Sequence, residues 1–412
     1  MPARRLPVRP DLRQLKHQAK DLHRAIREGD PSAITDFREY HLQRIDAQSA
    51  KLSDAQLVLA RSYGASSWPR LVAVCNLIDA IWRDDVLAVR ELTLANPELA
   101  RDCAIAPEAG WAAAVTHAAT HGLQRIITML MQAGARDVDA VTARPELHPL
   151  LETLRLLGRL GARFPRDAVG GAVESLAGSN FAFMVEIGTE IEDERGNWHS
   201  RVALALETYA RNPDGKHRIL ETMAAKGIPL PDTPTMTVHR GRLDLLQDHL
   251  RRDPLLLQRT FTHEEIFPPE LGCHADQSLA LVGAPLGGAT LLHIATDYEE
   301  LEVVRWLLDH GMDVNVRAVV DSDGFGGHTA LFNCVVTYNA GRRDDRVARL
   351  LLDRGADPNA RASVRKGLAF AKDTSVHEYR NVTPLAWGRQ FHDPSYVSPT
   401  AMRVIAERGG TE

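Results

Sequence analysis

One feature recurs along most of the chain: an apolar stretch of helical period that ends in glycine. Examples are LLDHGMDVN and LLDRGADPN, and the glycines are Gly134, Gly161, Gly188, Gly227, Gly311, Gly355 and Gly409. Glycine takes the left-handed conformation that closes a helix at little cost. The spacings run from 27 to 84 residues, and the longest suggests two units with one glycine replaced by RRDP. The pattern predicts a repeating pair of helices.

Strand-like runs of alternating β-branched residues are nearly absent, so we expect an all-α chain with short loops. The net charge of −5 gives no overall attraction to nucleic acid. The chain contains no run of 18 apolar residues that could cross a bilayer. Its start, MPARRLPVRP, does not resemble a secretory signal. Four cysteines lie far apart without a C-x-x-C pair, which predicts reduced thiols. We therefore expect a cytoplasmic protein that binds neither nucleic acid nor membrane.

From Thr290 onward the repeats become specific. TLLHIATDYEELEVVRWLLDHGMDVN resembles an ankyrin repeat, and HTALFNCVV with VARLLLDRGADPN resembles a second. VTPLAWG with MRVIAERGG gives a third, and AVTHAATHGLQRIITMLMQAGA is a degenerate earlier copy. The resemblance implies an ankyrin-type α-solenoid of about eight helix pairs, each followed by a projecting finger that lines a concave groove. It also implies that His293 bonds the backbone of a neighbouring finger.

The organisation expected along the chain has three parts. Residues 1–75 resemble a helical N-terminal cap found in bacterial ankyrin repeat proteins, and such a cap would cover the apolar face of the first repeat. Within it, Ser53 with Gln56 suits a capping box, and Gly64 suits a helix stop. Residues 76–260 are expected to be degenerate ankyrin repeats, and residues 261–412 well-matched ones.

Three successive fingers are longer than the family pattern. They are residues 258–289, 317–328 and 361–381. Long loops inside a compact array are more often functional or disordered than idle, and the aromatic and proline residues here favour order. Because stacked repeats place equivalent segments side by side, we expect the three fingers to emerge on one flank of the groove. Together they could roof a pocket.

The family register indicates which side chains face the groove. The two positions before the Gly-His pair of the pattern point into it, which implies Asp297 and Tyr298 as the leading ligand-binding residues. Equivalent positions of other repeats, and polar or aromatic residues of the fingers, extend this predicted ligand-binding set to His121, Thr337, Phe391, Asp321, Asp323, His328 and Tyr379.

The stretch FTHEEIFPPELGCH, residues 261–274, is rich in groups that can do chemistry. It lacks every recognised metal-ligand spacing, and the chain has no phosphate-binding loop, nucleophile elbow or dinucleotide fingerprint. We therefore expect no metal and no cofactor. General acid/base chemistry needs only a tuned histidine or carboxylate in a water-poor pocket. If the protein is an enzyme, the candidates are His263, Glu265, His377 and Glu378.

Two functions follow. The first, which we favour, is a binding protein whose groove takes a protein or small-molecule partner, as the resemblance implies. The alternative is a cofactor-independent enzyme that catalyses dehydration, addition or cyclisation, as a step of a biosynthetic pathway, in a pocket roofed by the fingers. A binding groove should be open, whereas an enzyme needs convergent titratable groups in an enclosed cavity.

Overall fold

The computed structural model describes residues 4, 6, 7, 9–41, 46–101, 114–136, 150–164, 168–193, 195–275, 281–338, 340, 341 and 343–412. The chain divides into two compact units, Met1–Ala168 and Val169–Glu412. Within the described ranges, no helix is both long enough and apolar enough to cross a membrane. The boundaries expected at residues 75 and 260 stay predictions.

Unit 1 consists of helices. They are α1 (Leu12–Glu28), α2 (Pro31–Tyr40), α3 (Leu52–Ser62), α4 (Trp68–Trp82), α5 (Val86–Ala95), α6 (Glu98–Arg101), α7 (Ala114–Thr120), α8 (Gln124–Gln132) and α9 (Leu150–Arg159), with a 3-10 turn at Ala47–Ser49. Each helix buries an apolar stripe; in α1 this stripe is Leu15, Ala19, Leu22 and Ile26. That spacing of three or four residues is typical of an amphipathic helix packed on neighbours.

The start of α3 differs from the predicted capping box at Ser53 and Gln56. The helix begins two residues earlier than that box requires, at Leu52, and the carboxylate of Asp54 accepts a hydrogen bond from the N–H of Lys51 over 2.7 Å. An acidic side chain at this position satisfies an N–H that the helix itself cannot. The predicted stop is confirmed, since Gly64 follows α3 with a φ of 87°.

Unit 2 consists of helix pairs and the three fingers. Its helices are α10 (Ala168–Glu174), α11 (Gly178–Glu186), α12 (His199–Glu207), α13 (Pro213–Ala225), α14 (Pro234–His239), α15 (Leu243–Arg252), α16 (His263–Ile266), α17 (Leu291–Asp297), α18 (Leu301–Asp309), α19 (Arg346–Asp353), α20 (Pro384–Gln390) and α21 (Pro399–Glu407). Its 3-10 turns are Leu256–Gln258, Pro269–Leu271, Ala330–Cys334 and Pro394–Tyr396. Two antiparallel strands, β1 (Ala362–Lys366) and β2 (His377–Val382), form a hairpin in the third finger.

The pair α17 and α18 shows how the sequence builds a repeat. Every residue of the short α17 is buried, whereas the amphipathic α18 buries Val303, Val304 and Leu307. Gly311 then ends the pair with a φ of 90°. All seven glycines predicted to close a helix have positive φ. The 84-residue interval contains the pair α14 and α15 as well as the pair α17 and α18. The prediction of two units there is therefore confirmed. The all-α, ankyrin-type solenoid is confirmed in unit 2.

The three fingers lie side by side, as expected. The N–H of Val319 in the second finger donates to Gly288 O in the first (2.9 Å), and Gly326 N–H in the second donates to Ser363 O in the third (2.7 Å). His293 Nε2–H donates to the carbonyl of His328, at the end of the second finger, over 2.9 Å. The contact that the ankyrin resemblance implies for His293 is therefore present.

Candidate functional site

Asp297 ends α17 inside a sealed cluster of charges. Its side chain and that of Arg211 are each 1% exposed, and Arg211 Nη2 donates to Asp297 Oδ2 over 2.8 Å. Asp297 Oδ1 accepts hydrogen bonds from the N–H of Gly283 (2.7 Å) and from Asn333 Nδ2 (3.4 Å). The carboxylate therefore ties the end of the first finger, at Gly283, to α17.

Tyr298 follows in the same cluster. Its hydroxyl donates to Leu206 O over 2.5 Å. Its ring lies 4.6 Å from the Arg211 guanidinium and 3.9 Å from the Lys216 ammonium, which pairs with Glu300 at 2.9 Å. Burial raises the pKa of Tyr298 well above its usual value, so the hydroxyl stays a donor.

Asp297 and Tyr298 are thus enclosed, and their described contacts hold α17 against the α12–α13 region. Ligand contact by these two residues stays a prediction. His121, in unit 1, packs edge-on against Trp82 with ring centroids 4.3 Å apart. Thr337 is buried, and its N–H donates to a backbone carbonyl of the Pro394–Tyr396 turn over 2.8 Å.

His263 and Glu265 serve the first finger. The N–H of Thr262 donates to Glu265 Oε2 (2.8 Å) and the N–H of Glu265 donates to Thr262 Oγ1 (3.3 Å), which forms a capping box. Glu265 also pairs with Arg259 at 2.5 Å. The buried His263 donates from Nε2–H to the carbonyl of His274 over 2.9 Å. All these contacts lie within residues 258–289, so they order that finger.

The two acids of the second finger form a turn. Asp321 Oδ1 accepts from the N–H groups of Asp323 and Phe325, each at 2.9 Å. Arg365 from the third finger pairs with both carboxylates, at 3.0 Å for Asp323. Hydrogen bonds to the Phe325 N–H and to Arg365 keep the pKa of Asp321 below its usual value. This carboxylate therefore stays charged and joins the two fingers.

His328 lies at the base of the second finger and is buried. Its Nε2–H donates to Pro285 O in the first finger over 3.0 Å. Burial, with His293 nearby, lowers the pKa of His328 to about 3, and burial lowers that of His293 to about 4. Both imidazoles are therefore neutral near pH 7. Each donates a hydrogen bond to a backbone carbonyl of a finger, and neither faces a described cavity.

The third finger carries an aromatic and histidine stack. His377 Nε2 lies 2.8 Å from Asp373 Oδ2, and its ring stacks on His392 at 4.0 Å. The Tyr379 hydroxyl lies 2.7 Å from His392 Nδ1, and the Tyr379 ring stacks on Phe391 at 5.7 Å. These contacts fix the hairpin onto the last helix pair.

A cavity of about 690 Å³ opens beside these fingers, and we call it the apolar cavity. Its walls come from α12, the first finger, the third finger and the Pro394–Tyr396 turn. This size suits a small ligand or a large side chain. Most of its surface is apolar, and the principal side chains are Leu204, Tyr209, Leu281, Tyr338, Phe370 and Tyr396.

Polar groups border the apolar cavity on one side. Glu207 accepts from the N–H of His274 (2.8 Å), and its other oxygen lies 2.9 Å from His274 Nδ1. Glu174 also lies at the border and is exposed. The Tyr338 hydroxyl donates to Ala369 O over 3.3 Å, which links the second repeat of this region to the third finger.

Four residues of the apolar cavity were not predicted from the sequence: Tyr338, Tyr396, Phe370 and Glu207. Tyr338 directly follows Thr337, so the family register came within one residue of it. Glu207 lies in the weakly matched region, where no motif fixes the register. Phe370 and Tyr396 carry no sequence signal for a cavity, because only the folded hairpin and turn bring them to α12.

A second cavity, of about 640 Å³, lies between the α14–α15 pair and the first finger. Its lining is mixed, about half polar, with the charged residues Asp232, Arg252, Glu264 and Glu265. His249 Nε2 at its wall lies 2.9 Å from Asp232 Oδ1. Arg252 also pairs with Asp232, at 3.3 Å, and Arg259 pairs with Glu265.

The four acid/base candidates do not come together in either of these two cavities. Glu265 lines the second cavity, whereas His263, His377 and Glu378 line neither. Glu378 instead pairs with Arg380 at 3.0 Å on the surface of the hairpin. Among the described residues, no three His, Cys, Asp or Glu side chains converge as a metal site requires. The catalytic roles stay a prediction, as does the expected absence of metal and cofactor.

Comparison with known proteins gives one family. The model of ankyrin repeats, in three copies, matches residues 265–362. These residues run from α16 through the second finger to the start of β1, and they include α17, α18 and α19. No curated protein matches the chain significantly.

Solved structures of similar type include the ankyrin repeat domain of human ASB11, at 15% identity over 82% of this chain and 98% of that one, with a TM-score of 0.21. Another is the ankyrin repeat domain of Bcl-3, a member of the IkappaB protein family. It is 17% identical over 80% of this chain and 97% of that one, with a TM-score of 0.20. Scores this low carry no argument about shape, so the assignment rests on the matched repeats and the helix pairs. The chain carries ankyrin repeats at residues 265–362.

Proposed function

We propose that this protein is a protein-binding module whose apolar cavity receives an apolar side chain of its partner. Ankyrin repeats are in general protein-interaction modules, which supports a binding role. The observation that carries the proposal is the position of Phe370, which lines the apolar cavity while 85% of its own surface is exposed. Aromatic side chains at the edge of an apolar pocket are typical of interface anchors.

The backbone of Phe370 supports the same interpretation. Its φ is 62°, in the left-handed region that bulky residues seldom adopt. That conformation costs a side-chain-bearing residue about 1–2 kcal/mol. Strain of this kind clusters at ligand clamps and switch regions, so an exposed and strained aromatic favours a functional role. Val376, 59% exposed, is another apolar side chain of the same finger, but it does not line the apolar cavity.

The border of the apolar cavity adds a charge preference. Glu174 is exposed there, and Glu207 lies beside it in contact with His274. A partner segment with a basic residue next to its apolar anchor would meet an opposite charge. Such complementarity acts mainly on specificity and on the rate of association.

Display of a random peptide library against the full chain tests the proposal. We expect selected peptides to share a large apolar residue with a basic neighbour. Phe370→Ala should weaken their binding about tenfold or more, as loss of an interface anchor does. Val376→Ala is the matched control, because it removes an exposed apolar side chain of the same finger that does not line the cavity, and it should change affinity less than about threefold.

Three results would overturn the proposal: no peptide is enriched, enriched peptides lack an apolar residue, or Phe370→Ala binds them normally. Saturable binding of small apolar molecules without any peptide binding would instead identify a small-molecule receptor. The acid/base alternative has no described geometry in its favour, because His263, Glu265, His377 and Glu378 each contact neighbours of their own finger.

The cytoplasmic location expected from the sequence belongs to the same proposal. The three described cysteines, Cys75, Cys273 and Cys334, are free and buried. Free thiols of this kind are usual in a reducing compartment. Burial raises the pKa of Cys75 to about 12, so this thiol is not a reactive one.

A further inference from the structure

Four aromatic side chains from four separate segments line the apolar cavity. They are Tyr209, Tyr338, Phe370 and Tyr396. The rings of Tyr338 and Tyr396 lie 5.0 Å apart at an interplanar angle of 80°, so they form two walls that meet nearly at a right angle. The hydroxyl of Tyr338 donates to Ala369 O over 3.3 Å, which places this ring next to the exposed Phe370. A ligand in the cavity would therefore be bordered by aromatic rings on several sides.

The formal charge of the same lining is negative. Glu174 lies exposed at the border and Glu207 lies beside it, whereas the lining that the structure describes contains no lysine or arginine. Behind the wall, Arg211 donates to the carbonyl of Leu281 over 2.7 Å, but its charge is matched by Asp297. The cavity thus combines an apolar, aromatic surface with acidic groups.

Several polar groups of the lining already have partners. The two carboxylate oxygens of Glu207 lie 2.8 and 2.9 Å from the backbone nitrogen and Nδ1 of His274. The hydroxyl of Ser200 donates to Asp193 Oδ2 over 2.9 Å. An unmodified ammonium carries three N–H donors, each of which needs an acceptor. A cation whose N–H groups are replaced by methyl groups makes no such demand, so it fits this lining better.

The face of an aromatic ring is electrostatically negative, and quaternary ammonium and methyl-lysine groups bind between such rings. We infer that the apolar cavity is an aromatic cage for an alkylated ammonium group, which the partner presents as a methylated lysine. This inference deepens the proposed function and rests on it, because it uses the same cavity and a protein partner. The methyl groups supply the apolar surface of the anchor, and the nitrogen supplies the positive charge that otherwise requires a basic neighbour.

A pair of ligands with the same shape and different charge tests the cage. Choline is compared with the alcohol in which a tert-butyl group replaces its trimethylammonium group, by isothermal titration calorimetry with the full chain. We expect choline to bind about tenfold more tightly, because only the cation is attracted by the rings and the carboxylates. A short peptide of glycine and serine with a central trimethyllysine should likewise bind more tightly than the same peptide with unmodified lysine.

Two substitutions separate the roles of the rings and the acids. Phe370→Leu keeps an apolar side chain but removes an aromatic face, so it should weaken choline binding about threefold or more and change binding of the neutral alcohol less than about twofold. Glu174→Gln should weaken choline binding about twofold, as loss of an exposed charge does. Glu186→Gln is the matched control, since it makes the same change at an exposed glutamate of α11 outside the cavity lining. Far-ultraviolet circular dichroism shows whether each variant is folded.

Equal affinity for choline and the neutral alcohol would refute the cage, as would an equal effect of Phe370→Leu on both ligands. Choline binding without preference for the trimethyllysine peptide would overturn the lysine as its source and identify a free ammonium compound. Enrichment of peptides with an apolar anchor, together with no preference for choline, would remove the cage and leave the proposed function standing. The failure of the inference and the failure of the proposed function are therefore distinguishable.

Discussion

The first and third fingers occupy equivalent places in their repeats, yet they use their polar groups differently. In the described part of the first finger, Glu265 caps a helical turn and His263 bonds a backbone carbonyl. The third finger is a hairpin that leaves Phe370 exposed, and its Lys366 has no hydrogen-bond or carboxylate partner among the described residues. The polar side chains of the first finger therefore stabilise that finger itself. The third finger, by contrast, leaves some of its side chains without contacts to the rest of the protein.

The contrast shows which kind of residue marks a binding surface in this protein. Residues 261–274 are rich in histidine and glutamate, but His263 and Glu265 bond to backbone groups of their own finger. The third finger differs from the first because it leaves side chains free to contact a partner, not because it contains more reactive residue types. A strained, exposed aromatic is costly to the folded state, so Phe370 favours a role in binding.

Removing the Asp297 carboxylate, which holds the first finger against α17, should cause the largest loss of stability. Asp297→Ala leaves the buried Arg211 guanidinium and the Gly283 N–H without their acceptor. Loss of one partner of a buried pair costs about 3–5 kcal/mol. We expect the free energy of unfolding, measured with urea, to fall by that amount.

Asp309→Ala provides the control for this substitution. Asp309 pairs with Arg354 at 2.7 Å, but its side chain is 51% exposed. An exposed pair of this kind contributes about 0–1 kcal/mol. Equal losses for Asp297→Ala and Asp309→Ala would show that the cluster under the first finger is not sealed.

The buried histidines between the first and second fingers predict a pH effect of intermediate size. The folded-state pKa values of His328 and His293 are about 3 and about 4, whereas a histidine in the unfolded chain has a pKa of about 6.5. Below pH 6.5 the unfolded chain therefore binds protons that the folded chain does not, and stability falls as the pH drops toward 4. Each histidine contributes a slope of up to about 1.4 kcal/mol per pH unit.

Urea unfolding at several values between pH 7 and 4.5 measures that slope. His328→Gln places a side-chain N–H where His328 Nε2 donates to the carbonyl of Pro285, but it removes one titrating group. The slope should become shallower by up to about 1.4 kcal/mol per pH unit. An unchanged slope would mean that His328 takes up a proton in the folded state, and that the contact between the fingers is not closed to water.

Much of the fold follows from the sequence, because helix-closing glycines and the pattern beginning at Thr290 each have a local steric cause. All seven glycines have the left-handed backbone that their position requires. The lengths of the three fingers were equally visible. The start of α3 was not, since Asp54 rather than Gln56 caps it, and several side chains compete for that role.

The candidate site was less predictable for a physical reason. Register places a residue on a face of its repeat, but it does not say whether neighbouring side chains cover it. Tyr298 satisfies the register and is enclosed by Arg211 and Lys216, which belong to a weakly matched repeat. The pairing of those two cations depends on contacts between repeats, so no local pattern shows that Lys366 is the one left unpaired.

Replacing Glu265 should have the smallest effect and sharpens the comparison within the first finger. Glu265→Ala removes the acceptor of the Thr262 N–H and the partner of Arg259. A lost capping contact costs about 0.5–2 kcal/mol, and the pair with Arg259, being partly exposed, adds little. Glu264→Ala is the matched control, because Glu264 is the exposed neighbour on the same helical turn and takes no part in the capping box.

Thermal unfolding and binding of the selected peptides should then respond differently. We expect Glu265→Ala to lower the midpoint of unfolding by a few degrees relative to Glu264→Ala, as a loss of about 1 kcal/mol does in a chain of this size, while peptide affinity stays unchanged. If Glu265→Ala abolished peptide binding without altering the unfolding midpoint, Glu265 would face a ligand. The first finger would then belong with the third as a binding element, and availability of unpaired groups would no longer separate them.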